Sequence, residues 1–345
     1  MDHRDGSSPI QHVRATATTE SMTVDPITLS HQPSQPVYEG RDKQLRIRLW
    51  EIAMAHTAVL RMDQGEKLNN LDENTSHSSK ERVEVLSRFQ DKLDVHEPGR
   101  ISWAGHSFGA CTTVQFLKSV FYASKKPASA REVLFEPKPD SALARQITPS
   151  SPIALLDLWC LPLRSPAQSW LWKQPLPSYS AGGLGGSSIV SVLSEGFFHW
   201  SGNFNDVKRA IAPPKGYDGP SPHLFYPSNS QHFNQSDFGI LFPWLTKRFM
   251  KAQEPERVLK LNVRAMLQTL RDSGIQVANT SAEDQEISRS EKADQDHAIF
   301  ASDGSIRGWV AVPVSDHAAD GDISIVQDRK KAPTDNLEGE AAMEM

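Results

Sequence analysis

The stretch "RISWAGHSFGACTTVQFL", Arg100 to Leu117, constrains the fold of this chain more than any other. A short apolar run leads into Gly105-His106-Ser107-Phe108-Gly109, and from Ala110 onward Val114, Leu117 and Phe121 recur at helical spacing. Strand, tight turn and helix therefore follow one another without a gap. A serine on so sharp a turn calls for glycines two residues to either side, because side chains there are expected to collide with neighbouring backbone. Gly105 and Gly109 meet that need. The helix behind the serine also aims N–H groups and the positive end of its dipole at the turn, with the backbone N–H of Phe108 as the first donor to a developing oxyanion. A turn serine among small residues is the competing reading. The strand before Ser107 and the helix after it favour a nucleophile.

Further elements can be read on either side. Residues 1–40 are rich in Ser, Thr, Pro and Gln without apolar periodicity and read as a loop-rich segment. From Arg41 to Met62, Leu45, Leu49, Ile52, His56, Val59 and Leu60 recur at helical spacing while Lys43, Arg46 and Glu51 fall elsewhere, which predicts an amphipathic helix. A second helix is expected near Lys80 to Leu93 and ends at Pro98-Gly99. "SPIALLDLWCLPL", "GGSSIVSVLSEG" and "HLFYP" supply three more strands after "RISWAG". Helical runs "NFNDVKRAI", "SDFGILFPWLTKRFMK" and "PERVLKLNVRAMLQTLRDSG" lie between or after them. This alternation predicts an α/β fold, a mostly parallel sheet flanked by helices. Residues 41–275 form the catalytic domain on this reading. Residues 276–345 are a polar, acidic tail, largely flexible apart from the apolar island "SIRGWVAVPV".

A serine needs a base, and the base needs an acid to hold its tautomer. In a sheet of this kind the acid and histidine follow the serine along the chain, so the search runs downstream. Asp157 follows "IALL", at the carboxyl end of a predicted strand on the same sheet edge as the turn. A cap or turn aspartate is the alternative. Of the histidines beyond it, His223 would stand at the start of its strand, the wrong end. His232 follows that strand in "SNSQHFNQ", before a helix capped by Ser236, and is the expected base. His199, in "EGFFHWSGNF", is the runner-up, with aromatic neighbours that suggest pocket wall or core. His106 is expected to turn away from the reacting centre as packing or support. Trp170, Trp172, Phe197 and Phe198 are candidates for the acyl pocket or a lipid surface, against the reading of ordinary core and loop.

Composition excludes several classes. With 37 basic and 42 acidic residues and no cationic stripe, nucleic acid is not an expected partner. No run reaches the ~18 apolar residues of a membrane span, and the first twenty residues lack the apolar core of a signal peptide. As written, the chain is expected in the cytoplasm or peripherally on a membrane. Cys111 and Cys160 fall in apolar runs and read as core residues, and no spacing suggests a metal or other cofactor.

With these residues placed, the sequence resembles the platelet-activating factor acetylhydrolase family, the plasma and type II intracellular lipases of the α/β-hydrolase fold. "HRDGSSP", "GHSFGA", "ALLDLWCLPL", "SVLSEGFFHW" and "SQHFNQSDFGIL" carry the resemblance, in family order, from residue 3 to about residue 275. The family's nucleophile falls on Ser107, its acid on Asp157 and its base on His232. The resemblance implies a calcium-independent carboxylic ester hydrolase that removes short or oxidised acyl chains from the sn-2 position of glycerophospholipids. It also implies a phospholipid partner and a place in lipid catabolism.

Two departures stand out. Ala110 occupies a position where the family carries a second glycine. The "HRDGS" segment begins at residue 3, where the family has further strands and an oxyanion-donating loop upstream, so the domain is expected to be N-terminally incomplete: a fragment, a truncated gene model or a degenerate paralogue. Loss of one oxyanion donor typically lowers the rate ~100- to 1000-fold. Two rival functions remain open at this stage: a general short-acyl carboxylesterase or lipase, and an inactive, truncated hydrolase-like binding protein.

Overall fold

The computed structural model describes residues 3–8, 11–16, 18–68, 78–130, 132–249, 253–279 and 296–315. These divide into two compact units, residues 1–101 with 119–148, and residues 102–118 with 149–345.

In the first unit the loop-rich segment contains a small antiparallel hairpin, β1 (Gln11–Val13) and β2 (Met22–Val24). Helix α1 (Gln35–Asp63) starts with Pro36 in its first turn, where a missing N–H costs nothing. Leu45, Leu49 and His56 are buried as the periodicity predicts, but so is Glu51, expected on the outer face. The reason lies in "HRDGS". His3 Nδ1 sits 2.8 Å from Glu51 Oε2 and the Arg4 N–H donates to Oε1, so the buried carboxylate is partnered. The same segment is fixed by Arg48, whose Nε donates to Asp5 Oδ2 at 2.5 Å and whose Nη2 donates to Ser7 Oγ. Burial raises the Asp5 carboxyl, and Arg48 with the Ser7 hydrogen bonds outweighs it, leaving the pKa below the usual aspartate value. Helix α2 (Ser79–Ser87) is shorter than expected and opens with a Ser78–Glu81 capping box.

The second unit holds a five-stranded sheet, β3 (Trp103–His106), β4 (Ile153–Leu156), β5 (Ile189–Val192), β6 (His223–Pro227) and β7 (Trp309–Ala311), in that spatial order. The first four strands are parallel and β7 is antiparallel to β6. The apolar island of the tail is therefore a strand. Other residues of the tail, 280–295 and 316–345, lie outside the described residues. Helix α3 (Phe108–Phe121) leaves β3 after a single residue. A short α4 (Ala142–Gln146), part of the first unit, precedes β4 along the chain, and α5 (Ser169–Trp172), α6 (Glu195–His199) and α7 (Ser201–Ile211) lie between β4 and β6. After β6 the expected single helix is broken at Pro243 into α8 (Phe238–Leu241) and α9 (Pro243–Phe249), because proline cannot donate within a helix interior. Helix α10 (Pro255–Asp272) follows.

Strand alternation decides what packs where. Ala154, Val190, Val192 and Phe225 share one face and form a core with Leu261 and Ala265 of α10, Ile299, Ile306 and Trp309. Their neighbours Ile153, Leu155 and Ile189 point the other way and are buried too. Burial on both faces is the condition under which a parallel sheet is stable, and it explains why these strands read as continuous apolar runs. Cys111 and Cys160 are both buried, as expected of core residues. Among the described residues no helix is long and apolar enough to cross a membrane.

Candidate active site

The site is built at the carboxyl ends of the parallel strands. In register, His106 pairs with Leu156, so Ser107 and Asp157 are the first residues beyond two neighbouring strands. Each continues the ladder through its N–H: Ser107 to the Leu156 carbonyl at 2.9 Å, Asp157 to the Val192 carbonyl at 2.8 Å. Both have left-handed backbone, φ 57° and 45°, a conformation that costs a non-glycine residue about 1–3 kcal/mol. Ser107 spends only one residue on the turn, because its carbonyl already accepts the N–H of Cys111 in the first turn of α3.

The two elbow glycines prove unequal. A Cβ on Gly105 would lie 2.4 Å from the Gly109 carbonyl oxygen and 2.6 Å from the Ala110 nitrogen, so a side chain there is excluded. A Cβ on Gly109 would meet nothing within 4 Å. The expected collision at Gly109 is thus absent: Gly109 meets β3 with its backbone, and only a side chain at Gly105 would fall into the contact. Phe108, the expected oxyanion donor, is the first residue of α3, and its side chain packs edge-on against Trp159.

Asp157 is fully buried, and both of its oxygens are engaged. Oδ1 accepts the Ser194 N–H at 2.5 Å, and Oδ2 accepts from His232 Nδ1 at 2.8 Å. The loop after Asp157 is clamped by Asn203 of α7, whose Oδ1 accepts the Cys160 N–H and whose Nδ2 donates to the Leu158 carbonyl, both at 2.9 Å. This is a carboxylate placed to orient an imidazole, and its partner is the histidine expected from sequence.

His232 opens a 3-10 turn, His232–Gln235, whose ends are tied by reciprocal hydrogen bonds between Gln231 and Asn234. The turn is moored to α6: Ser230 Oγ accepts the Glu195 N–H and donates to the Pro227 carbonyl, and Glu195 Oε2 accepts the Asn229 N–H. Ser194, whose backbone binds Asp157, also caps α6 through its side chain. Ser194, Asn203 and Ser230 were not singled out in sequence. Only Ser194 had a local signal, a cap-type residue followed by an acidic first turn.

Two rings pack on the imidazole. Phe197 stacks on it at 4.8 Å between centroids with 11° between planes, and His106 lies 4.4 Å away at 35°. His106 is therefore in contact with the expected base, not turned away from it. Burial, then the neighbouring His232, holds the His106 imidazole down at about 4, against the opposite pull of Asp157 and the His232 backbone. Donor atoms of His106, Asp157 and His232 lie within 4.8 Å of one another, a set able to ligate a metal ion.

The remaining candidates are corrected or placed as follows. His223 starts β6 and stacks on Phe300 at 3.7 Å, at the far end of the strand from the site. His199 is exposed and lies 3.8 Å from Glu195, so it is neither pocket wall nor core. Phe197 and Trp172 are buried, Trp172 beneath the cations of Lys118 and Arg209, and neither presents a surface to lipid. Trp170 is half-buried, and half-buried Phe198 stacks on Tyr226 at 4.1 Å. In the second unit, a run of exposed apolar side chains follows His232 in the chain, at Ile240, Leu241, Phe242 and the 71% exposed Trp244.

A family model, "Platelet-activating factor acetylhydrolase, isoform II", matches residues 1–293. The chain belongs to this family. Membership in the platelet-activating factor acetylhydrolase, isoform II, family makes the sheet with its flanking helices an α/β-hydrolase fold, with the Ser107 turn, Asp157 and His232 at its carboxyl edge. A Schizosaccharomyces pombe protein named "Putative phospholipase A2" is 24% identical over 296 residues, covering 80% of this chain and 61% of its own length. This family member thus spans about three fifths of the length of that relative.

Proposed function

We propose that the chain is a serine hydrolase of phospholipid esters, and that its preferred bond is the sn-2 ester of glycerophospholipids bearing an acetyl, short or oxidised acyl chain. The observation that carries the reading is the 2.8 Å hydrogen bond between His232 Nδ1 and buried Asp157, formed beside the strained Ser107 turn. Family membership and the name of the fission-yeast relative support phospholipid as the substrate class.

In the proposed reaction the Ser107 Oγ attacks the ester carbonyl carbon while its proton passes to His232 Nε2. Asp157 holds the tautomer and stabilises the imidazolium. The carbonyl oxygen gathers charge at the start of α3, where the Phe108 N–H and the helix dipole favour it. Breaking the ester C–O bond, with the proton returned from His232, releases the lysophospholipid and leaves an acyl-serine. Water, deprotonated by His232, then attacks the acyl carbon; the Ser107 Oγ–C bond breaks with the proton returned from His232 to Oγ, and the carboxylic acid leaves. Every step is made by side chains and backbone of this chain, so no calcium ion is required. The exposed residues Ile240, Leu241, Phe242 and Trp244 give the His232 side of the site an apolar surface suited to a lipid interface, with Trp244 at the headgroup boundary.

The test is hydrolysis of 2-acetyl and 2-palmitoyl glycerophosphocholines with calcium chelated, comparing the chain with Ser107→Ala. The expected result is turnover of the acetyl ester lost by about 10⁴-fold or more in the variant. Equal turnover of both esters would replace the short-acyl preference with a general phospholipase. Absence of turnover from folded protein would leave a hydrolase-like binding protein.

A further inference from the structure

We infer that His106 is a positioning residue whose ring, packed on His232, holds the base bonded to Asp157 in the plane needed for proton transfer from Ser107. The inference rests on the triad reading above and goes beyond it, because His106 touches neither substrate nor the bonds that change.

One hydrogen bond cannot fix an imidazole. The Nδ1···Oδ2 contact with Asp157 sets the distance of His232 from the acid but leaves the ring free to turn about that line. Turning swings Nε2, the atom that must meet the serine proton, off its path. Contact across the ring surface removes this freedom, and two groups provide it: Phe197 from α6 and His106 from the end of β3. They are anchored differently. Phe197 belongs to the helix moored to the His232 turn, so it moves with the base. His106 is covalently joined to Ser107, so its contact ties the plane of the base directly to the strand that carries the nucleophile.

The His106 ring both lies against the His232 ring and hydrogen-bonds the His232 backbone, so it grips the base by face and by main chain. Its Nε2 is buried without a hydrogen-bond partner, a cost that a purely structural ring such as Phe would avoid. The charged and titratable groups facing it are His232 and Asp157; burial, then His232, lowers its pKa to about 4, and Asp157 and the His232 backbone pull the other way. What carries the role is the geometry, a ring centroid 4.4 Å from that of His232 on a residue joined directly to Ser107.

The experiment compares His106→Phe, which keeps the ring, with His106→Leu, which removes it, by steady-state kinetics and by the rate of fluorophosphonate labelling at Ser107. His106→Leu is expected to lose about 10- to 100-fold in kcat and in labelling rate with KM unchanged, the scale on which sub-ångström misplacement of a reacting group acts. His106→Phe is expected to restore both to within a few-fold of wild type. If the Leu variant does not fold, His106→Met fills the same space without a ring and carries the same expectation. Wild-type rates in the ringless variant, or equal losses in Phe and Leu, would overturn the inference. Failure of the wild-type chain itself to label at Ser107 would overturn the triad reading, and with it the role of His106, and is separable because no variant is involved.

Discussion

Ser107 and Asp157 are neighbours at the ends of paired strands, both in left-handed backbone and both continuing the ladder through their N–H groups, yet what completes their positioning differs. Ser107 is fixed by main chain: a ladder hydrogen bond before it, a helical one after it, and a glycine two residues upstream that lets α3 touch β3. Asp157 is fixed by what its side chain binds, the Ser194 N–H and His232, and by the clamp of Asn203 on the backbone that follows. The difference teaches that a nucleophile can be positioned by local geometry, which leaves its side chain for chemistry. The acid must be positioned by groups from elsewhere in the chain, because its carboxylate is buried and each oxygen has to be satisfied.

The largest expected effect breaks the Asp157 side of this comparison. Asp157→Asn keeps the shape but presents an amide where His232 needs an acceptor, so kcat should fall by about 10⁴-fold while the fold survives. Retention of near-wild-type turnover in a chain with unchanged circular dichroism would show that the 2.8 Å contact does not matter for catalysis.

The glycines sharpen the Ser107 side. Gly105→Ala forces a Cβ onto α3 backbone and should cost about 1–3 kcal/mol in denaturant unfolding, with activity reduced as the turn shifts. Gly109→Ala meets open space on a helix and should be neutral or stabilising by up to about 1 kcal/mol. Equal effects of the two would remove the claim that the turn depends on a single close approach.

Replacing each strained residue with glycine contrasts the two anchors directly. Ser107→Gly relieves left-handed strain and should raise stability by about 1 kcal/mol even as it removes the nucleophile. Asp157→Gly relieves the same strain but orphans the Ser194 N–H, at about 1–3 kcal/mol, and should be destabilising on balance. Thermal melts that move the same way for both would blur the distinction.

The smallest effect is in pH. The His106 pKa is lowered from 6.5 to about 4, so the unfolded chain binds this proton first as pH falls. Its contribution to stability is complete above pH 6.5 and is lost progressively from there toward pH 4. His106→Phe should flatten that part of the stability profile; an unchanged slope between pH 6.5 and 4 would count against a buried, neutral His106.

How much of this was legible in sequence follows the same division. The Gly105–Ser107 turn was visible because its causes lie within five residues, and β4 announced Asp157 by a charge at the end of "IALL". His232 was placed by following the order of strands to the loop after β6. The supports were not visible. Ser194, Asn203 and Ser230 are ordinary polar residues until the fold brings α6, α7 and the His232 turn around one carboxylate. The tryptophans and phenylalanines that the sequence offers as lipid-facing prove buried or half-buried, because an apolar side chain looks the same in sequence whether it fills the core or faces outward.

By itself, then, the sequence determined the parallel strands, the turn at Ser107 and the order of serine, acid and histidine, because periodicity and turn chemistry act over a few residues. Tertiary structure decided that Glu51 is buried, that β7 joins the sheet beside β6, that Gly109 has room, and that His106 lies against His232. Each of these depends on which distant groups come within hydrogen-bonding or van der Waals reach, and that is fixed only when the chain has packed.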